Sequence, residues 1–261
     1  MQLNFRQYSS VGDPLIILHG LFGSLKNWSW QARQLAEHFT VYGLDLRNHG
    51  ESPHADEMSY PTMADDVLQF LDEHSVNQVR VLGHSMGGKV AMQLAGAYPD
   101  YVHSLVVADI APVAYDPSRG DHENIFTALT TLDIKHLNSR GEADEKLAVM
   151  IADPAVRQFL AANLVRSDEQ GFCWRFNLSV LENEYDKLRA APEINHPYPG
   201  PVLFIRGEYS SYVQEADREK ILQLFPAAKV KTVAGAGHWL HAEQPQMVNN
   251  LVQNFFSNQS R

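Results

Sequence analysis

One cysteine, Cys173, stands in a chain of 261 residues. An intrachain disulfide is therefore excluded, and the lone thiol reads as a small apolar packing residue. Basic charge is scarce: 21 lysines and arginines against 31 aspartates and glutamates give a formal net charge of -10. No basic cluster relieves that balance, so no nucleic-acid partner is expected. No apolar run approaches bilayer length, so no membrane partner is expected either. Met1-Gln2-Leu3-Asn4-Phe5-Arg6 lacks the charged-then-apolar order of a signal sequence, which points to the cytoplasm. Internal repeats and low-complexity segments are also missing. What remains is an ordinary globular composition, 44% hydrophobic and 20% charged. At this length a core can exclude water from a site.

Apolar runs of strand length recur at Leu15–Leu18, Val41–Leu44, Val79–Leu82, Leu105–Ala108, Val202–Ile205 and Val230–Val233. Helical spacing lies between most of them, over about 27–38, 61–75, 214–225 and 244–257, and in the small-residue stretch after Gly88. In 61–75, Met63, Val67, Phe70 and Leu71 share a face that Asp65, Asp66, Asp72 and Glu73 avoid. In 244–257, Met247, Val248, Leu251, Val252 and Phe255 read as inward. This alternation implies an α/β fold, a mostly parallel sheet with helices on both faces. Residues 2–8 read as an edge strand. From 113 to 195 the rhythm breaks into four helical stretches, about 121–131, 143–152, 154–166 and 177–190, with no strong strand run. The expected division is a core of 1–112 and 196–261 with an inserted helical cap of 113–195. Sites in such sheets lie beyond the carboxyl ends of the strands, where every polar cluster here falls, so the insertion is expected to cover the site. A side domain away from the mouth is the alternative.

The chain is organised around Gly83-His84-Ser85-Met86-Gly87, which joins a strand to a helix. That is the context of a nucleophile elbow. A side chain at Gly83 or Gly87 is expected to collide with neighbouring backbone. Serine is a poor nucleophile at neutral pH and needs a base oriented by an acid. Of 12 histidines, His238 alone lies in a loop directly after the last strand, between glycines and a helix. His241 reads as a packing or rim residue, and His19 and His84 as braces of their loops. In many hydrolases of this layout the acid follows the strand at 201–205 as Gly-x-x-Asp; here Ser210 occupies that place, with Glu208 two residues early. Asp109 ends the preceding apolar strand, where an unpaired carboxylate is costly. A histidine N–H would satisfy it, so Asp109 is preferred over Glu208. The oxyanion needs backbone N–H donors, expected at Met86 and at Leu21, with Phe22 as the next candidate.

His19-Gly20, Asp45-Leu46-Arg47-Asn48-His49-Gly50-Glu51-Ser52, Gly83 to Gly88 and Gly235-Ala236-Gly237-His238-Trp239 resemble the α/β-hydrolase superfamily over essentially the whole chain. Asp109-Ile110-Ala111-Pro112-Val113, Ser210-Ser211-Tyr212-Val213 and Gly237 to Glu243 resemble the bacterial YbfF-type esterases. The resemblance implies a helical cap, action on short-chain esters and acyl-CoA thioesters, and an acid at Asp109. The reaction so implied uses no metal and no cofactor. The expected partner is a small acyl ester or thioester, and the expected state a monomer or small homo-oligomer. His19, Phe22, Phe126 and Trp239 are expected to touch substrate. Phe126, Leu129, Phe159 and Leu160 read either as an acyl pocket or as the insertion's own core. Coenzyme A would require a local basic rim, for which Arg47, Lys89 and Arg119 are available. Perhydrolysis, carbon–carbon bond hydrolysis and a binding protein without turnover are the competing readings.

Overall fold

The computed structural model describes residues 1–116, 122–167 and 171–259. Its strands are β1 (Phe5–Gln7), β2 (Pro14–Leu18), β3 (Thr40–Leu44), β4 (Val79–His84), β5 (Val102–Ala108), β6 (Leu164–Arg166), β7 (Phe172–Trp174), β8 (Val202–Gly207) and β9 (Ala228–Val233). Seven of them form one sheet in the order β1-β3-β2-β4-β5-β8-β9. All neighbours run parallel except β1, which lies antiparallel on β3.

The central strands carry near-continuous apolar runs, Leu15–Leu18, Leu105–Ala108 and Val202–Ile205 among them, because both faces are covered. Alternation sends Ile16, Leu18, Val81, Leu105 and Val107 to one face and Leu15, Ile17, Leu82, Val106 and Ala108 to the other. Helices Tyr60–Glu73, Met86–Ala97 and Arg218–Leu224 pack on the first face. Helices Ser29–Leu35 and Pro245–Ser257 pack on the second, through Trp28, Leu35, Val248, Val252 and Phe256.

Helix Tyr60–Glu73 starts where Ser59 accepts from the Thr62 N–H (3.3 Å) and Pro61 occupies the first turn. Its expected apolar face is buried. Asp66, expected to avoid that face, is buried as well. Arg47 holds it through Nε (2.6 Å) and Nη2 (2.9 Å), so a charged pair extends the stripe. In Pro245–Ser257, Val248, Val252 and Phe256 are buried and Leu251 and Phe255 pack partly buried against the same core, whereas Met247 is exposed.

Between β5 and β8 lie helices His122–Thr131, Arg140–Leu147, Pro154–Ala161, Leu178–Asn183 and Tyr185–Arg189. Asp153 caps the third, accepting from the Ala155 N–H (2.8 Å). The expected helix over 154–166 stops at Ala161, and β6 and β7 form an antiparallel ribbon that periodicity did not reveal. Short apolar runs fit either period, so pairing partners decide. The ribbon buries Phe172 and Trp174, which turns the intervening Cys173 outward. Cys173 is therefore exposed and is not the packing residue expected. Among the described residues no helix is long and apolar enough to cross a membrane.

Candidate active site

Ser85 follows β4 and precedes helix Met86–Ala97 with φ 52° and ψ -120°. The left-handed backbone costs on the order of 1–3 kcal/mol in a non-glycine residue. It is held by the Ser85 N–H to the Ala108 carbonyl (3.0 Å) and by the Ser85 carbonyl accepting from Gly88 (2.8 Å) and Lys89 (3.1 Å). The flanking glycines are required by close approach. A Cβ on Gly83 would lie 2.3 Å from the Gly87 carbonyl oxygen, and one on Gly87 would lie 2.5 Å from those of Leu18 and His19.

Asp109, one residue past β5, also has a positive φ, 54°. Its N–H donates to the Ile205 carbonyl (2.8 Å), which ties the turn to β8. The carboxylate is fully buried and fully engaged. Oδ1 accepts from the Gly207 N–H (2.9 Å); Oδ2 accepts from the Ser210 hydroxyl and from His238 Nδ1 (2.8 Å). His238 Nε2 in turn accepts from the Ser85 hydroxyl (3.0 Å). These roles require the neutral Nδ1–H tautomer of His238. Its loop is fixed by Glu243, whose carboxylate accepts from the N–H groups of Gly237 (2.7 Å) and Trp239 (3.2 Å). Glu208 points elsewhere: it is exposed and accepts from the Gly235 N–H (2.7 Å). Ser210 supplies a hydroxyl to Asp109 where a carboxylate was sought.

Nearby histidines are held neutral. Burial pushes His84 well down, and the neighbouring His241 and His238 add to it. Burial, then His238, takes His241 down to about 3. His84 Nε2 donates to the His238 carbonyl (2.9 Å), and His241 stacks on Trp28 at 4.4 Å, so both pack and brace. A positive charge arising on His238 therefore meets no second cation among them.

Met86 is the first residue of its helix, so its N–H has no intrahelical acceptor. In the loop after β2 the Phe22 N–H is taken by His49 Nε2 (3.2 Å), and Leu21 lines the space at Ser85. His19 does not face this space. Its Nδ1–H donates to the Gly20 carbonyl (2.8 Å) and its Nε2 accepts from the Leu46 N–H (3.0 Å), so it braces two loops instead of touching a substrate.

Two cavities meet at Ser85, and Leu21 and His122 border both. One is apolar, walled by Phe22, Ile125, Val156, Phe159, Leu160 and Trp239. The other is tyrosine-rich, walled by Tyr60, Lys89, Tyr115, Tyr185, Arg189 and Tyr212. Phe22 and Trp239, expected to touch substrate, line this space. Phe126 does not; it packs between Phe22 (5.1 Å) and Tyr185 (5.0 Å), and its neighbour Ile125 takes the wall. Leu129 is likewise core, whereas Phe159 and Leu160 are wall. Arg47 is buried against Asp66, so it is no rim residue. Lys89 is buried too, donating to the carbonyls of Arg189 (3.1 Å) and Ala190, with burial pushing its ammonium down to about 7. Arg119 lies outside the described residues. Tyr60, Tyr115, Tyr185 and His122 do not stand out in the sequence, because nothing local marks them as neighbours of Ser85.

The model of the alpha/beta hydrolase fold matches residues 13–245. A sn-1-specific diacylglycerol lipase, ABHD11 of Xenopus laevis, is 40% identical over 95% of this chain and 80% of its own length. Esterase YbfF of Escherichia coli strain K12 is 36% identical over 98% of this chain and 100% of its own. A solved marine microorganism esterase superposes with a TM-score of 0.95 at 41% identity, covering 97% of this chain and 99% of that one. The chain belongs to the α/β-hydrolase fold family and, within it, is of the YbfF esterase type.

Proposed function

We propose that the protein hydrolyses carboxylic esters through an acyl-serine intermediate. The observation that carries this reading is the unbroken line from Ser85 Oγ through His238 to the buried Asp109. His238 Nε2 takes the Ser85 proton as Oγ bonds to the acyl carbon. The oxyanion is held by the N–H groups of Met86 and Leu21. Collapse breaks the carbon–oxygen bond, and His238 returns its proton to the leaving alcohol. Water, deprotonated by the same imidazole, then releases the acid and restores Ser85. Asp109 orients the imidazole and offsets its charge, and Ser210 and Gly207 hold Asp109.

Residues 113–195 act as a cap in this reading. His122, Ile125, Phe159, Leu160 and Tyr185 come from that segment and border the space above Ser85. The apolar cavity suits a short acyl chain, and the tyrosine-rich one the leaving group. Thioesters of coenzyme A are a second substrate class for the same chemistry. Arg47 is held away from the space by Asp66, whereas Lys89 and Arg189 wall the cavity assigned to the leaving group.

Hydrolysis of p-nitrophenyl butyrate, together with labelling of the protein by a fluorophosphonate, tests the proposal. Ser85→Ala and His238→Ala are expected to abolish both. Labelling that survives Ser85→Ala refutes the assignment. Acyl-CoAs assayed beside oxygen esters of equal chain length rank the two substrate classes.

A further inference from the structure

His122 lies in helix His122–Thr131 and, among the described residues of the 113–195 segment, is the one that borders both cavities at Ser85. Leu21 and Ser85, the other two shared residues, belong to the core. Whichever cavity takes the acyl chain, His122 therefore stands beside the scissile bond. Its ring packs against Tyr185 (5.7 Å) and Tyr212 (6.5 Å), which orient it from two sides. Among the described residues, neither of its ring nitrogens has a hydrogen-bond partner. Burial, and secondarily His238, pushes its pKa down to about 4, so the ring is neutral at pH 7. A neutral imidazole presents one donor and one acceptor. Half-buried polar groups without a partner are costly unless a ligand or water completes them.

We propose that His122 is a specificity-determining residue that hydrogen-bonds an oxygen substituent of the substrate's alcohol close to the scissile ester. The inference rests on the Ser85–His238–Asp109 reading and on the placing of the alcohol in the tyrosine-rich cavity. A hydroxyl there is complementary to the imidazole, being donor and acceptor at once. An alkyl group of the same size leaves the ring unpaired within the closed complex, and such a site discriminates by the lost bond.

The test compares 2-hydroxyethyl butyrate with propyl butyrate, which differ by a hydroxyl in place of a methyl. Wild-type kcat/KM is expected to favour the hydroxy ester by about tenfold, the order of one hydrogen bond. His122→Phe is expected to bring the ratio to near one, and His122→Gln to restore part of the preference. A purely structural role would change both rates together and leave the ratio alone. A wild-type ratio of one or less, or a ratio unchanged in His122→Phe, overturns the inference. His122→Ala carries the same test if the phenylalanine variant does not fold. Ser85→Ala run in parallel separates the outcomes: turnover that survives it refutes the triad, whereas its loss with an unmoved ratio refutes only the role of His122.

Discussion

The carboxyl edge of the sheet and the helical segment between β5 and β8 build the same site by different means. At the sheet edge, position is set by backbone. Ser85 and Asp109 sit in left-handed turns one residue past β4 and β5, each donating its N–H to a carbonyl of the next strand. In the segment, position is set by side chains packing on side chains, as where Phe159 meets Trp239 at 4.4 Å and Phe126 fills the gap between Phe22 and Tyr185. A strand end admits few substitutions; a packed wall admits many of similar volume. The first region suits chemistry that must not move, and the second suits selection among substrates.

That contrast is sharpest at the acid. Asp109→Asn is expected to lower kcat for p-nitrophenyl butyrate by about 10⁴-fold, since the amide favours the wrong imidazole tautomer. Glu208→Gln should change it by less than about threefold. The reverse order would move the acid to the loop after β8.

The histidines of the two regions titrate together on acidification. His49 and His241 are held at about 3 and His122 at about 4 by burial, against an ordinary 6.5. Their folded pKa values are depressed, so the unfolded chain binds the extra protons. The neutral folded form is fully favoured above 6.5, and stability falls as pH drops from there toward 3–4. Each such histidine contributes about 1.4 kcal/mol per pH unit across that window. The urea midpoint should therefore drop steeply between pH 6.5 and pH 4.5; a flat profile would contradict the neutral assignments.

In the wall, Phe159→Ala removes apolar contact and enlarges the apolar cavity. It is expected to lower kcat/KM for the butyrate ester by about tenfold, the cost of about one to two lost kcal/mol of apolar contact. The preferred acyl chain should lengthen at the same time. An unchanged chain-length profile would place the acyl group in the other cavity. Cys173→Ser, on the outward side of the ribbon, should alter neither activity nor melting temperature beyond error.

The same contrast explains what could be read without coordinates. Continuous apolar runs announce doubly buried strands, so β2, β4, β5 and β8 and their parallel order were legible. Glycine sterics marked Ser85, and the cost of an isolated carboxylate at a strand end marked Asp109. The ribbon of β6 and β7 was not legible, because three-residue strands owe their existence to a partner across a turn. Nor were the burial of Asp66 and Lys89, which depends on Arg47 and on the carbonyls of Arg189 and Ala190, distant in sequence. Ile125 and Phe126 are both apolar on one helix, and only their neighbours decide which becomes wall and which becomes core.

Ser210 and His238 meet on a single oxygen of Asp109. Two neighbouring strands thus deliver loop residues, Asp109 directly after β5 and Ser210 a little beyond β8, to one point next to the imidazole. A negative charge lodged at either address would find the same ring, so exchanging the two side chains is a short walk in sequence space. The nucleophile and the base need not shift for the carboxylate to change its strand of origin.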